Sequence, residues 1–107
     1  MNVSALEAGI IHLPLDRVVA GAASSEISIC PSLAFFLRHS NSERHFVFDL
    51  GLRRDTDTYP PAIRSLIKNV MHVEVPQTVA ESCVKGGIKP GHVETVILSH
   101  VHFDQCV

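Results

Sequence analysis

The chain has 107 residues, enough for one domain, and its 46 % hydrophobic content supplies material for a core. Nine Lys/Arg against eleven Asp/Glu give a formal net charge of −2, and no cations cluster beyond Arg53-Arg54, which excludes the basic groove that nucleic-acid phosphates require. No apolar run approaches the roughly 20 residues that span a bilayer, and Ala8-Gly9-Ile10-Ile11, short and without preceding basic residues, makes no signal-peptide core, so a cytoplasmic protein with no membrane partner is expected.

Val3 to Leu13 reads as an edge strand ending at Pro14, and Ser32 to Arg38 with His45 to Asp49 as a hairpin around Ser40-Asn41-Ser42-Glu43. Pro60-Pro61 then opens a short helix that places Ile63, Leu66, Ile67 and Val70 at helical spacing, with Arg64 and Lys68 on another face. A strand over His72 to Val75 follows. The next helix runs from about Gln77 to Lys85, opened by Pro76 and closed by Gly86-Gly87, with Val79, Cys83 and Val84 as its apolar side. A loop over Ile88 to His92 feeds Val93 to Leu98, an apolar run that reads as a buried strand. The elements describe an α/β chain, and the final strand, helix, strand unit predicts a right-handed crossover covering one face of a sheet.

That last strand leads into Ser99-His100-Val101-His102-Phe103-Asp104-Gln105-Cys106. In an extended backbone His100, His102 and Asp104 share one face, with Val101 and Phe103 opposite. Imidazoles and a carboxylate are donors that zinc accepts at roughly 2.0 to 2.2 Å, and open α/β sheets bind ligands at the carboxyl ends of their strands. The competing reading is an ordinary polar strand end, with the histidines capping the sheet and the aspartate starting a turn.

The run from Gly87 through Val96-Ile97-Leu98-Ser99-His100-Val101-His102-Phe103-Asp104 resembles the segment leading into the His-x-His-x-Asp-His motif of the metallo-β-lactamase superfamily. Upstream, Phe46-Val47-Phe48-Asp49-Leu50-Gly51 resembles that family's strand ending in Asp-x-Gly, and with Leu52-Arg53-Arg54-Asp55 and Tyr59-Pro60-Pro61 it is similar to the lactonase-like branch. The resemblance runs from about Ile27 onward. It implies the N-terminal half of an αββα sandwich, a mixed sheet with helices on one face, so that residues 1 to 107 form a partial domain lacking its C-terminal half. It further implies a zinc-dependent hydrolase of lactone or ester bonds working through metal-bound hydroxide. His100 and His102 would be ligands of one zinc, and Asp104 a ligand of a second and a catalytic group that orients water. Gln105 stands where the family has a further histidine, and an amide is a poorer zinc donor. With the remaining family ligands absent downstream, this truncated chain is expected to be inactive and to bind zinc weakly or not at all.

Other polar residues carry two readings each. Asp49 would brace the metal loop, by resemblance, or make an Asx-type turn before Gly51, which itself serves the backbone. Arg53 and Arg54 would attract an anionic substrate or line a solvated loop. His12, His39, His45, His72 and His92 share no spacing and read as surface or hydrogen-bonded histidines. Cys30, Cys83 and Cys106 are odd in number without a Cys-x-x-Cys pair, so reduced thiols are expected, with Cys83 buried and structural.

Alongside hydrolysis of a small lactone or ester, two further functions fit the sequence. One is a non-catalytic protein that associates with itself or a paralogue through the sheet face that a missing second sheet would have covered. The other is a metal-free α/β binding module.

Overall fold

The computed structural model describes residues 1–104, and Gln105, Cys106 and Val107 lie outside them. Five strands form one mixed sheet: β1 (Asn2–Pro14), β2 (Ile27–Arg38), β3 (His45–Phe48), β4 (His72–Glu74) and β5 (Thr95–Ile97). Their order is β4-β1-β2-β3-β5, with β1, β2 and β4 in antiparallel pairings, β2 and β3 antiparallel, and β3 and β5 parallel. This is the α/β architecture expected from the sequence.

The hairpin forms as anticipated, pairing Arg38 with His45. His39 closes its turn by donating through its N–H to Arg44 O at 2.9 Å and by accepting at Nδ1 from the Asn41 and Ser42 amides. β2 starts five residues earlier than expected because Ile27-Ser28-Ile29-Cys30 alternates as a strand despite Pro31. Proline is tolerated there because Pro31 lies opposite Ile10, just where the β1 register shifts between Glu7 and Ile10 and a ladder hydrogen bond is dispensable. Gly9 sits in that bulge at φ +115°. β1 is no edge strand: it lies between β2 and β4, although β4 covers only Ile10 to His12.

Helix α1 (Pro61–Asn69) starts on its proline, and Ile63, Leu66, Ile67 and Val70 are its partly buried positions while Arg64 and Lys68 are exposed. Helix α2 (Val79–Lys85) begins two residues later than expected. Thr78, rather than Pro76, caps it: the Thr78 side chain accepts from the Glu81 amide, and the Glu81 carboxylate accepts from the Thr78 hydroxyl. Gly87, at φ +83°, ends it. Val84 is exposed, and Ser82 takes its place on the inner side by donating to Glu7 O at 2.9 Å. A hydroxyl in reach of a partly buried strand carbonyl satisfies that acceptor, which a valine could not do.

The core lies between α2 and the sheet, where Val79 and Cys83 pack on Leu6, Ala8, Ala34, Phe36 and Val47. Burial pushes the Cys83 thiol pKa up, as expected of a structural cysteine. On the opposite face, strand alternation and register place Val3, Ile27, Ile29, Leu33, Phe35, Leu37, Phe46 and Phe48 together. Ile29 is 66 % and Leu33 47 % exposed, so this apolar face is open to solvent.

Two expectations for the last unit fail. β4 and β5 occupy opposite edges of the sheet and run antiparallel to each other, so α2 joins them across the sheet and the expected β4–α2–β5 crossover does not form. The Val93 to Leu98 run gives only a three-residue strand, and Val96, Ile97 and Leu98 are each more than two-fifths exposed. β5 pairs with β3 on one side only among the described residues, which leaves its apolar side chains uncovered.

Candidate metal centre

β3 and β5 run parallel and end side by side, with Phe48 opposite Ile97. The chain segments that follow both strands therefore emerge at one edge. Asp49 turns there at φ +62°, a left-handed conformation that aspartate adopts more readily than most residues, and its amide donates to Ile97 O at 2.8 Å. Its buried carboxylate faces Ser99: Oδ1 accepts from the Ser99 amide and Oδ2 from the Ser99 hydroxyl, both at 2.8 Å. Of the two readings of Asp49, the structure supports the brace.

Gly51 explains how this turn fits. At φ +72° it passes so close to β1 that a Cβ would lie 2.6 Å from Ala8 O. The next amide, Leu52 N, donates to that same carbonyl at 2.8 Å.

The Ser99 oxygen also meets His100 Nδ1 at 2.9 Å. Because the serine hydroxyl hydrogen goes to Asp49, whose carboxylate is only an acceptor, His100 Nδ1 is the donor in this contact. That tautomer leaves the lone pair on His100 Nε2, which lies 3.0 Å from His102 Nδ1 and accepts its hydrogen. The two rings meet edge to face with centroids 4.5 Å apart.

His100, His102 and Asp104 each offer a ligand atom, and all three atoms lie within 4.8 Å of one another. The segment reaches this convergence as a bend and turn, not as the strand continuation that the alternating pattern suggested. Two donors of one tetrahedral zinc with bonds of roughly 2.0 to 2.1 Å stand about 3.3 Å apart. The 3.0 Å separation of the imidazole nitrogens is close to that, so the donor set fits a shared ion after loss of the hydrogen between them. Both imidazoles are exposed, and Asp104 is half-buried.

Sequence reasoning missed two residues that hold the far end of this loop. Tyr59, buried, accepts from the Arg53 amide at 2.9 Å and donates to Phe103 O at 3.2 Å, while its ring meets Phe103 edge to face. Ser32 on β2 donates to Asp104 O at 3.2 Å. In the sequence Tyr59 stands out only as part of Tyr59-Pro60-Pro61, and nothing in the spacing of Ser32 links it to residue 104. Arg53 donates to Thr58 Oγ1, and Arg54 to Val75 O, Pro76 O and the Glu81 carboxylate, so both arginines tie loops together. His45 packs edge to face on Phe36. His12 is hydrogen-bonded to Glu74 and His72 is exposed, as expected, and the three come together although their sequence positions share no spacing. Gln105, whose identity breaks the family motif, lies outside the described residues.

No protein-family model matches the chain. It is 37 % identical over 78 residues to metallo-hydrolase mfmC of Annulohypoxylon moriforme, covering 69 % of this chain and 20 % of that protein. It is also 33 % identical over 78 residues to a protein of Penicillium brevicompactum named cytochrome P450 monooxygenase mpaDE', again covering 69 % of this chain but 9 % of that protein. Among solved structures it superposes on an N-acyl homoserine lactone hydrolase with the product N-hexanoyl-L-homoserine at its catalytic metal centre, with TM-score 0.76 and 16 % identity, over 96 % of this chain and 42 % of that one. A second, from B. thuringiensis with N-decanoyl-L-homoserine at its active site, gives 0.74, 14 %, 96 % and 42 %. At these identities the structural likeness is one of fold. The chain spans about two-fifths of the solved structures and a fifth or less of the curated relatives it matches.

Proposed function

Since the chain carries the N-terminal part of the metallo-β-lactamase fold in its lactonase-like form, we propose that His100, His102 and Asp104 are the zinc donors of a hydrolase lineage acting on lactone or ester bonds. One observation carries this reading: three donors from five residues converge within 4.8 Å at the carboxyl end of a strand. The buried Asp49 carboxylate orients them through Ser99. In this reading His100 and His102 hold one ion, while Asp104 contributes to a second and orients the attacking water. Zinc, when bound, lowers the pKa of a coordinated water and polarises the scissile carbonyl. The residues of the chain set the conditions for that chemistry. Ser99 fixes the His100 tautomer with Nε2 available, and Tyr59 and Ser32 hold the backbone of the loop so that Asp104 stays beside the imidazoles.

Two-metal hydrolysis draws on more donors than this trio, so the chain by itself, a partial domain in this reading, hydrolyses lactones weakly or not at all. A cytoplasmic setting agrees with its free Cys30 and Cys83. Among the described residues no helix is long and apolar enough to cross a membrane.

The test pairs zinc analysis with an assay for opening of N-acyl homoserine lactones. At saturating zinc the chain should take up about one equivalent more than its His100→Ala/His102→Ala variant, with little or no lactone opening. Equal zinc in the two proteins would remove the proposal. A second reading, association through the sheet, rests on the exposed Ile27, Ile29 and Leu33. It expects a dimer or larger species by light scattering, unchanged in the same variant.

A further inference from the structure

A second group of donors lies at the other edge of the sheet, about 19 Å from β5 if four strand spacings of roughly 4.8 Å separate them. His12 on β1 is directly opposite His72 on β4, and Ile10 is opposite Glu74. Residues paired across a ladder share a face, as do residues two apart on a strand, so His12, His72 and Glu74 all project to the same side. Their ligand atoms lie within 4.8 Å of one another. His12 Nε2 stands 3.2 Å from Glu74 Oε2, and the two imidazole rings have centroids 5.2 Å apart.

We propose that His12, His72 and Glu74 form a binding site for a divalent transition cation of the zinc or cobalt type, clipping the edge strand β4 to β1. Two imidazoles and a carboxylate are a donor set that such cations accept with a water completing the sphere. Ladder hydrogen bonds fix the backbone under all three donors, so little ordering is needed on binding. His12 is 27 % and Glu74 51 % exposed at the side chain, which leaves the site partly sheltered and open to entry. Binding moves the His12 hydrogen shared with Glu74 to Nδ1 or releases it to solvent, freeing Nε2. The cation also gives β4 a purpose-built anchor. That strand pairs over three residues only, and the His12–Glu74 hydrogen bond is a side-chain link in its ladder.

The experiment uses the His100→Ala/His102→Ala/Asp104→Ala chain, which lacks the other donor trio, so this inference and the proposed hydrolase site fail separately. Cobalt(II) chloride is titrated in, with visible absorption and calorimetry as readouts. About one equivalent should bind with the d–d bands of a low-coordinate nitrogen and oxygen site, and amide exchange at Val73 should slow. Adding His72→Ala, an exposed position, should abolish both effects, and Glu74→Gln should weaken binding about tenfold or more. Cobalt binding that His72→Ala leaves intact would overturn the inference, as would no saturable binding. If a variant fails to fold, long-range nitrogen-15 spectra of the unsubstituted chain decide: zinc must shift the imidazole nitrogens of both His12 and His72, and unmoved resonances contradict the site.

Discussion

The two histidine clusters of this molecule bring similar donors together by opposite routes. His100, His102 and Asp104 are neighbours in sequence, yet their loop would have many conformations without the distant residues that pin it: Asp49 through Ser99, Tyr59 through Phe103 O, and Ser32 through Asp104 O. His12 is far in sequence from His72 and Glu74, and the pairing of β1 with β4 aligns the three. A compact motif therefore depends on side-chain braces, whereas a dispersed one depends on backbone pairing. Substitutions should affect them differently.

The largest effect belongs to Gly51→Ala, which forces a side chain into Ala8 at a positive φ and should cost about 2 to 4 kcal/mol. Because this strains the join between β1 and the Asp49 turn, thermal unfolding should shift strongly and both clusters should lose cation binding. Asp49→Ala separates them. It strips the Ser99 amide and hydroxyl of their acceptors, and should cost about 1 to 3 kcal/mol in denaturant titration while weakening zinc at His100 and His102 about 10- to 100-fold. Binding at His12 and His72 should be unchanged, and a parallel loss there would break the distinction.

Tyr59→Phe keeps the ring against Phe103 but removes the hydroxyl that links Arg53 N and Phe103 O, for an expected loss of about 1 kcal/mol. Amide exchange should quicken at residues 103 and 104 and not in the β1–β4 ladder. The smallest effect is electrostatic. Hydrogen bonding from Arg54 foremost, opposed by desolvation and aided by the Arg54 charge and by Thr78, holds the Glu81 pKa below the ordinary value. A lowered folded-state pKa gives stability that is present above the unfolded value and lost as pH falls through the folded one. The gap in melting temperature between the chain and Glu81→Gln should thus narrow as pH drops below about 4.3. Its size stays small, because Arg54 and Glu81 are both solvent-exposed.

What the sequence made legible follows the same division. The hairpin and α1 with its inward Ile63, Leu66, Ile67 and Val70 are encoded in local spacing, and the donor set His100, His102 and Asp104 is legible as residue types, although the loop brings them together by a bend and not by the extended spacing. The place of β1 inside the sheet, the antiparallel run of β4 and β5, and the meeting of His12 with His72 are set by long-range pairing that no local window contains. Val93 to Leu98 is apolar without being buried, because the sheet gives β5 a described neighbour on one side only. Tyr59 and Ser32 escaped notice because a hydroxyl that binds a remote carbonyl leaves no periodic trace.

The imidazole nitrogens of His100 and His102 test the metal reading most directly. Long-range nitrogen-15 spectra recorded before and after one equivalent of zinc, on the His72→Ala chain to silence the other cluster, report each nitrogen separately. His100 Nε2 should move to the metal-bound range while Nδ1 keeps the hydrogen it gives to Ser99, and His102 should shift with it. Resonances of both histidines left in place by zinc would contradict the account.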